Sequence, residues 1–189
     1  MAKVLAINGS PNAQGNTAQL LAAILAECTA AGHDTEVYQA GGRAVRGCLG
    51  CGACWDTPGK CVQDDWVNEL YGKMKAADAI LIGSPTYFAD VTAEIKAVID
   101  RVGFVSRADG HTMARKIGAA VCAVRRAGAI HVFDTINHFF LINEMVVPGS
   151  SYWNLGIGLE PGDVQEDAEG LQTMKRLGEN LNWLLGKLS

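Results

Sequence analysis

The feature that most constrains the fold is a stretch near the N-terminus in which an apolar run gives way to a polar loop and then to an amphipathic pattern. Residues 4–7 are all apolar, the run breaks at Asn8 and Gly9, and apolar residues return after Thr17 at helical spacing. This order predicts a buried strand, a loop and a helix. The first turn of a helix has unpaired N–H groups and the positive end of the helix dipole, so the loop is a candidate site for one phosphate group.

The loop lacks the residues with which proteins bind a nucleoside triphosphate or a dinucleotide. No Gly-Lys-Ser/Thr sequence closes it, so it has no lysine for the outer phosphates and no hydroxyl placed for magnesium. Gly9 and Gly15 stand apart, whereas a dinucleotide site has a glycine triplet. A single phosphate held without lysine or metal suggests FMN. The alternative is an ordinary polar connection between a strand and a helix.

Composition indicates a soluble protein of ordinary size. With 189 residues, of which 49% are hydrophobic and 19% charged, we expect one globular domain over residues 1–189. A net charge of -4 argues against a nucleic-acid partner and offers no basic stripe for a membrane. The first residues do not resemble a signal peptide, and no 18 apolar residues run together. We therefore expect a cytoplasmic protein, whose six cysteines are unlikely to serve as structural disulfides in a reducing compartment.

Strand and helix patterns alternate along the chain. The predicted strands are residues 4–7, 35–39, 79–82, 117–124 and 145–147. The predicted helices begin near residues 17, 66, 92 and 129, and a final helix follows a loop that ends at residue 163. Such alternation predicts an α/β fold with a doubly wound parallel sheet, whose ligands bind beyond the carboxyl ends of the strands. The loops with unusual composition all follow strands, so the topology should collect them on one rim. An aromatic wall for a flat ring could come from Tyr87, Phe88 or Trp153, although aromatic residues in loops also act as buried plugs.

A cysteine-rich loop at about residues 40–64 is the second distinctive feature. Cys48, Cys51 and Cys54 are spaced three apart, and a Pro-Gly turn returns the chain to Cys61. Four thiolates in one compact wrap suit a [4Fe–4S] cluster, whereas zinc sites usually use two separated knuckles. Free or redox-active thiols remain an equal alternative, with zinc a weaker one. The other two cysteines, Cys28 and Cys122, fall on apolar faces and are expected in the core.

These motifs together resemble those of a known family. Gly9-Ser10-Pro11, Gly15-Asn16-Thr17, the Cys-x2-Cys-x2-Cys run and Gly83-Ser84-Pro85-Thr86-Tyr87-Phe88 occur in the order found in the NADPH-dependent FMN reductase and iron-sulfur flavoprotein group of the flavodoxin-like superfamily. The resemblance extends over essentially the whole chain. It implies a three-layer, five-stranded parallel sheet with strand order 2-1-3-4-5.

The resemblance also implies the cofactor-binding residues. In the first loop they are Ser10, Asn12, Gln14, Gly15, Asn16 and Thr17, around the phosphate; in the second, Pro85, Thr86, Tyr87 and Phe88, along the isoalloxazine and ribityl chain; in the third, Arg125, Ala127 and Gly128. The metal ligands would be Cys48, Cys51, Cys54 and Cys61.

The implied function is an FMN-dependent oxidoreductase that transfers electrons from NAD(P)H to a flavin, a quinone or a similar small acceptor. The alternative is an electron-transfer flavoprotein, with FMN and a [4Fe–4S] cluster, that serves a redox protein. The family forms homo-oligomers, and the predicted helix after residue 129 is rich in aromatic residues, including Phe133, Phe139 and Phe140. We therefore expect a homodimer or homotetramer.

Overall fold

The computed structural model describes residues 1–188, and within them a five-stranded parallel sheet carries helices on both faces. The strands are β1 (Lys3–Asn8), β2 (Asp34–Gln39), β3 (Ala79–Pro85), β4 (Ile117–Val124) and β5 (Leu155–Ile157). Their order is β2-β1-β3-β4-β5, with every neighbouring pair parallel. The predicted fold class and strand order are confirmed.

The helices differ from the prediction mainly by one short addition. They are α1 (Asn16–Ala30), α2 (Ala53–Asp56), α3 (Trp66–Ala76), α4 (Ala93–Ala108), α5 (Ala129–Ile142) and α6 (Ala168–Leu188), with a 3-10 turn at Asp163–Glu166. The single-turn helix α2 lies inside the cysteine loop and was not predicted. None of the helices in residues 1–188 is long and apolar enough to cross a membrane.

Alternate residues of the central strands divide the core into two clusters, one on each face of the sheet. Leu5, Ile7, Ile80 and Ile82 point to the face covered by α3, α4 and α5. Intervening residues such as Leu81 point to the face covered by α1 and α6. This division follows from the two-residue period of a strand, and because both faces are covered, β3 and β4 are apolar almost throughout.

The two isolated cysteines lie in this core, as predicted. Cys28 of α1 and Cys122 of β4 are fully buried. Burial, which disfavours the charged thiolate, raises the pKa of Cys28 to about 11 and that of Cys122 to about 12. Neither thiol is ionised at neutral pH, so both act as small apolar side chains.

The prediction of the last strand was wrong. Residues 145–147 contribute only an isolated bridge between Val146 and Ile117, near the start of β4, and β5 lies ten residues later. Its backbone continues the sheet beside the end of β4, where the Cys122 N–H donates to the Asn154 carbonyl at 2.9 Å. Gly156 is required there, because a Cβ would lie 2.6 Å from Leu20. Two short apolar segments therefore share the edge of β4, and only the second is a strand.

The aromatic residues of α5, on which the expectation of an oligomer was partly based, do not form a surface patch. Phe139 and Phe140 are buried in the core, and Phe133 is partly buried, with its ring centroid 5.8 Å from that of Trp153. The exposed apolar residues of this helix are instead Ile130, Leu141 and Ile142. The aromatic content of α5 thus serves the fold of its own chain.

Candidate functional site

A pocket of about 260 Å³ lies at the carboxyl end of the sheet, where four loops meet. We call it the rim pocket. It is lined by Ser10, Asn12, Gly15, Asn16, Thr17, Pro85, Thr86, Tyr87, Ala123, Arg125, Gly158, Leu159 and Pro161. Nine of the thirteen residues predicted to bind the cofactor are in this set, although they come from three separate parts of the sequence.

The first loop is shaped by side chains that accept hydrogen bonds from its own backbone. Asn8 Oδ1 accepts from the Ser10 N–H at 3.1 Å, Ser10 Oγ from the Asn12 N–H at 3.2 Å, and Asn12 Oδ1 from the Gln14 N–H at 3.0 Å. Each contact spans two residues, which is the geometry of Asx and Ser turns. The Asn and Ser residues of the motif thus fix the loop before any ligand arrives.

Helix α1 begins at the pocket with its donors uncapped. Its N-cap, Gly15, has no side chain to accept from the first turn, whereas Asp65 caps α3 and Thr92 caps α4. The first turn of α1 also has no acidic residue. Thr17 lies in this turn with 1% of its surface exposed, and its hydroxyl has no hydrogen-bond partner within residues 1–188. The arrangement suits an anion, because both the donors and the helix dipole are available.

Asn16, by contrast, uses its side chain to hold the opposite wall of the pocket. Its Nδ2 donates to the Glu160 carbonyl at 3.0 Å, and its Oδ1 accepts from the Gly162 N–H at 2.8 Å. The amide thereby attaches α1 to the loop that follows β5. Its side chain is occupied, so a direct contact of Asn16 with a ligand would come from its backbone N–H.

The second loop extends β3 beyond the sheet. Thr86 is anchored to β4, since its N–H and hydroxyl both donate to the Ala123 carbonyl, at 2.8 and 3.0 Å. Tyr87 follows at the mouth of the pocket with half of its surface exposed. Phe88 and Ala89 form a tight tip with φ angles of 49° and 62°. Phe88 is fully exposed and does not line the pocket.

The remaining predicted residues lie outside the rim pocket. Gln14, Ala127 and Gly128, like Phe88, are not among its lining residues. Trp153, a candidate for the aromatic wall, instead packs at a tilt against Phe133 and Tyr152 in a separate depression. The pocket residues that the sequence analysis missed are Ala123, Gly158, Leu159 and Pro161. Three of these follow β5, so they were missed because that strand had been placed ten residues too early.

The four clustered cysteines line a second cavity of about 210 Å³, which we call the cysteine cavity. Gly50 and Gly52 have φ angles of 62° and 73°, which glycine adopts without strain, and they turn the chain between successive cysteines. Cys48 and Cys51 are exposed, and Cys54 and Cys61 are partly buried. The opposite wall is formed by Arg101, Phe104 and Val105 of α4.

The four thiols influence one another. The pKa of the Cys54 thiol is raised, first by burial and further by the charges of Cys48, Cys51 and Cys61, against one backbone hydrogen bond that lowers it. Within residues 1–188, no three histidine, cysteine or acidic side chains stand close enough together to hold a single metal ion. The thiols surround a space instead of converging on a point.

Arg101 closes the loop that carries these cysteines. Its guanidinium is bidentate to the carboxylate of Asp65, at 2.7 and 2.8 Å, and also donates to the carbonyls of Arg46 and Gln63. Burial by itself would raise the pKa of Asp65, but the hydrogen bonds from Arg101 and the Val67 N–H, together with the positive charges of Arg101 and Arg43, hold it below its usual value. The two carbonyls belong to the residues two positions before Cys48 and two positions after Cys61.

The two cavities are neighbours along α4 but share no lining residue. Helix α4 begins at Ala93, directly after the second rim loop. Arg101 lies about 12 Å further along the helix, at 1.5 Å per residue. The protein therefore has two separate candidate sites, one for an anion with a flat group at the rim, the other built from thiols on the flank of α4.

The chain is similar to known proteins over most of its length. The chain is 37% identical over 191 aligned positions to an iron-sulfur flavoprotein of Methanocaldococcus jannaschii, covering 95% of each chain. It is 32% identical to an iron-sulfur flavoprotein of Methanosarcina thermophila, covering 95% of this chain and 93% of the relative. The crystal structure of RosB with a bound 8-demethyl-8-formylriboflavin-5'-phosphate intermediate superposes with a TM-score of 0.80 at 19% identity, covering 100% of this chain and 80% of RosB.

The strand order and the likeness to solved structures give a flavodoxin-like fold. The sequence relatives and the family match place the chain in the class of FMN-dependent oxidoreductases. More particularly, the chain belongs to the NADPH-dependent FMN reductase family, whose model matches residues 2–160. The matched segment includes every predicted cofactor-binding residue and all four clustered cysteines.

Proposed function

We propose that the rim pocket is the FMN site of this protein. The observation that carries the proposal is the convergence of four sequence-distant loops on one pocket at the uncapped start of α1. The phosphate would accept from the first N–H groups of α1 and from the hydroxyl of Thr17. Pro85 and Tyr87 would flank the ring, and the backbone of the rim loops would satisfy its polar edge. Arg125, exposed at the pocket, supplies a positive charge beside it.

The cysteine cavity fits a [4Fe–4S] cluster better than it fits a single ion. Zinc requires four sulfur atoms about 2.3 Å from one point, and these thiols do not converge in that way. A cubane places its four ligands on four different irons, so it needs thiols around a space, as the cavity of about 210 Å³ provides. The thiol environment also favours a cationic group, since four neighbouring thiolates repel one another.

We further propose that NAD(P)H is the electron donor and that a flavin, a quinone or a similar small molecule is the acceptor. When bound, FMN exchanges electrons in pairs or singly, and a cluster exchanges them singly. The protein's part is to position the reactants: the half-exposed Tyr87 leaves the mouth of the rim pocket open to a second flat molecule. Thiols held for a cluster need a reducing compartment, which is consistent with the cytoplasm.

A second candidate function is electron transfer to a redox protein, and a specific observation favours it. Cys48 and Cys51 are exposed, so the cysteine cavity opens at the protein surface beside the exposed aromatic ring of Trp55. Electrons could pass directly between a cluster at this position and a protein partner, without going through the rim pocket.

Anaerobic purification with quantification of FMN and iron tests the two cofactor assignments. We expect one FMN and about four irons per chain, as a four-cysteine cubane requires. Cys51→Ala should abolish the iron but retain the FMN, whereas Cys28→Ala, the matched removal of a core thiol, should retain both. Iron-free wild-type protein after anaerobic reconstitution would refute the cluster. Steady-state oxidation of NADH and NADPH with a quinone then distinguishes the two candidate functions, because an electron carrier shows no sustained turnover of NAD(P)H.

A further inference from the structure

The side chain of Arg101 is the most deeply buried charge near either site. Its side chain has no exposed surface, and it is the largest fully buried residue of the described chain. A buried guanidinium is costly unless it is paired and hydrogen-bonded. Asp65 provides a bidentate partner, and two backbone carbonyls accept further hydrogen bonds. These four contacts use the two Nη atoms.

The third nitrogen of the guanidinium remains without a partner. The Nε–H of Arg101 is buried and makes no hydrogen bond within residues 1–188. Arg101 also lines the cysteine cavity. Leaving a buried donor unsatisfied is unfavourable, so an unpaired donor of this kind in a native structure requires an explanation.

The cysteine cavity has no other fixed charge in its wall. Among the described residues that line it, Arg101 alone carries a basic or acidic side chain; the others are cysteine, glycine, apolar residues and Gln63. Lys60, the sequence neighbour of Cys61, points to solvent and pairs with Asp64 at 3.2 Å. An exposed charge of this kind is screened by water, whereas a buried one acts at nearly full strength.

A cluster in this cavity would be anionic, because its four thiolates carry more charge than the iron–sulfide core neutralises. Reduction by one electron makes the site more negative still. A nearby fixed cation therefore stabilises the reduced form more than the oxidised form and raises the reduction potential.

We propose that Arg101 is the positioning residue of the cysteine cavity, with two roles: its Nη atoms fix the two ends of the cysteine loop, and its buried charge raises the reduction potential of the cluster. This inference rests on the cluster assignment proposed above. Nothing in the rim pocket is needed for it, since the two cavities share no residue.

Anaerobic redox titration with dithionite, followed by the electron paramagnetic resonance signal of the reduced cluster, tests the charge. Arg101→Gln removes the charge at similar size, and we expect about a tenfold loss in the equilibrium constant for cluster reduction, which is a fall of about 59 mV for one electron. Asp65→Asn removes the compensating negative charge and should move the potential upward. Arg101→Lys keeps the charge and should stay closer to the wild type than Arg101→Gln does.

The opposite signs distinguish a charge effect from a structural one. Both Arg101→Gln and Asp65→Asn weaken the same salt bridge, so a merely structural role would shift both potentials in one direction or leave both unchanged. Lys60→Gln is the matched control: it removes an exposed cation from the same loop and should change the potential far less than Arg101→Gln. Equal shifts for Lys60→Gln and Arg101→Gln would overturn the proposal.

Two further outcomes remain decisive. If Arg101→Gln does not retain a cluster, Asp65→Asn decides the question: a raised potential supports the charge effect, and an unchanged or lowered one refutes it. If the wild-type protein itself takes up no iron, the cluster assignment fails, and the role of Arg101 fails with it. That result is distinguishable from failure of the inference alone, in which the wild type is loaded and Arg101→Gln titrates at the same potential.

Discussion

Replacing Thr17 by valine isolates the anion site at the start of α1 from the stability of the fold. Valine keeps the shape of threonine and removes only the hydroxyl. The side-chain methyl of Thr17 packs against β3 at Gly83, so closely that a Cβ on Gly83 would lie 2.9 Å from it. Valine has the same methyl and preserves this contact. Within residues 1–188 the hydroxyl has no hydrogen-bond partner, so its loss should leave the free energy of unfolding of FMN-free protein unchanged within about 0.5 kcal/mol.

The same substitution should weaken FMN binding. A hydrogen bond to a charged group contributes about 1.5 to 3 kcal/mol, which corresponds to an increase of roughly 10- to 150-fold in the dissociation constant. Fluorescence titration of FMN into the apoprotein measures it, and urea unfolding of the same apoprotein checks stability. Gln14→Ala is the matched control, because Gln14 lies in the same loop outside the pocket and should bind FMN like the wild type. Unchanged affinity in a folded Thr17→Val protein would refute the phosphate assignment.

Three further predictions test other parts of the structure. Asn16→Ala should lower both FMN affinity and the stability of the apoprotein, the latter by about 1 to 2 kcal/mol, because the amide holds the loop after β5. A variant that binds FMN more weakly but unfolds in urea like the wild type would contradict this. Since the pKa of Cys122 is about 12 in the folded state and near 9 when unfolded, its contribution to stability is complete below pH 9 and declines as the pH rises toward 12. By pH 10.5 this loss of stability reaches about 2 kcal/mol. In urea titrations the free energy of unfolding of Cys122→Ala should therefore fall less steeply with pH than that of the wild type; the same pH dependence in both proteins would refute the raised pKa of Cys122. We also expect a homodimer or homotetramer by sedimentation, formed through the exposed apolar residues Phe104, Leu141 and Ile142, and a monomer at micromolar concentration would exclude it.

Much of the architecture could be predicted because it depends on local patterns. The apolar runs of β3 and β4 indicate strands covered on both faces, and their alternation with helices leaves few topologies open. The loops that follow the strands then meet at one rim. This is why residues as distant as Thr17 and Arg125 were assigned to one site and are found in one pocket.

The last strand was not predictable in the same way. Residues 145–147 and Leu155–Ile157 are both short and apolar, and neither has a local feature that excludes a strand. Asn154 decides between them through tertiary contacts: its Nδ2 donates to the Ala120 carbonyl at 3.0 Å and its own carbonyl accepts from the Cys122 N–H. An asparagine before an apolar tripeptide usually marks a turn, so its role in the sheet is visible only once β4 is in place.

The burial of Arg101 shows the same limit and indicates where to look in such sequences. Positions 95, 98, 102 and 105 of α4 form an apolar stripe, and residue 101 lies between members of that stripe, so helical spacing alone places an arginine at the core. From the sequence alone, the side chain of Arg101 would be expected to extend toward solvent. Its partner is Asp65, which is 36 residues away in the sequence and which also caps α3. An arginine inside an apolar helical stripe is therefore a useful signal, because its charge must be compensated by a distant group. In this protein the residues that compensate it lie on both sides of the four cysteines in the sequence.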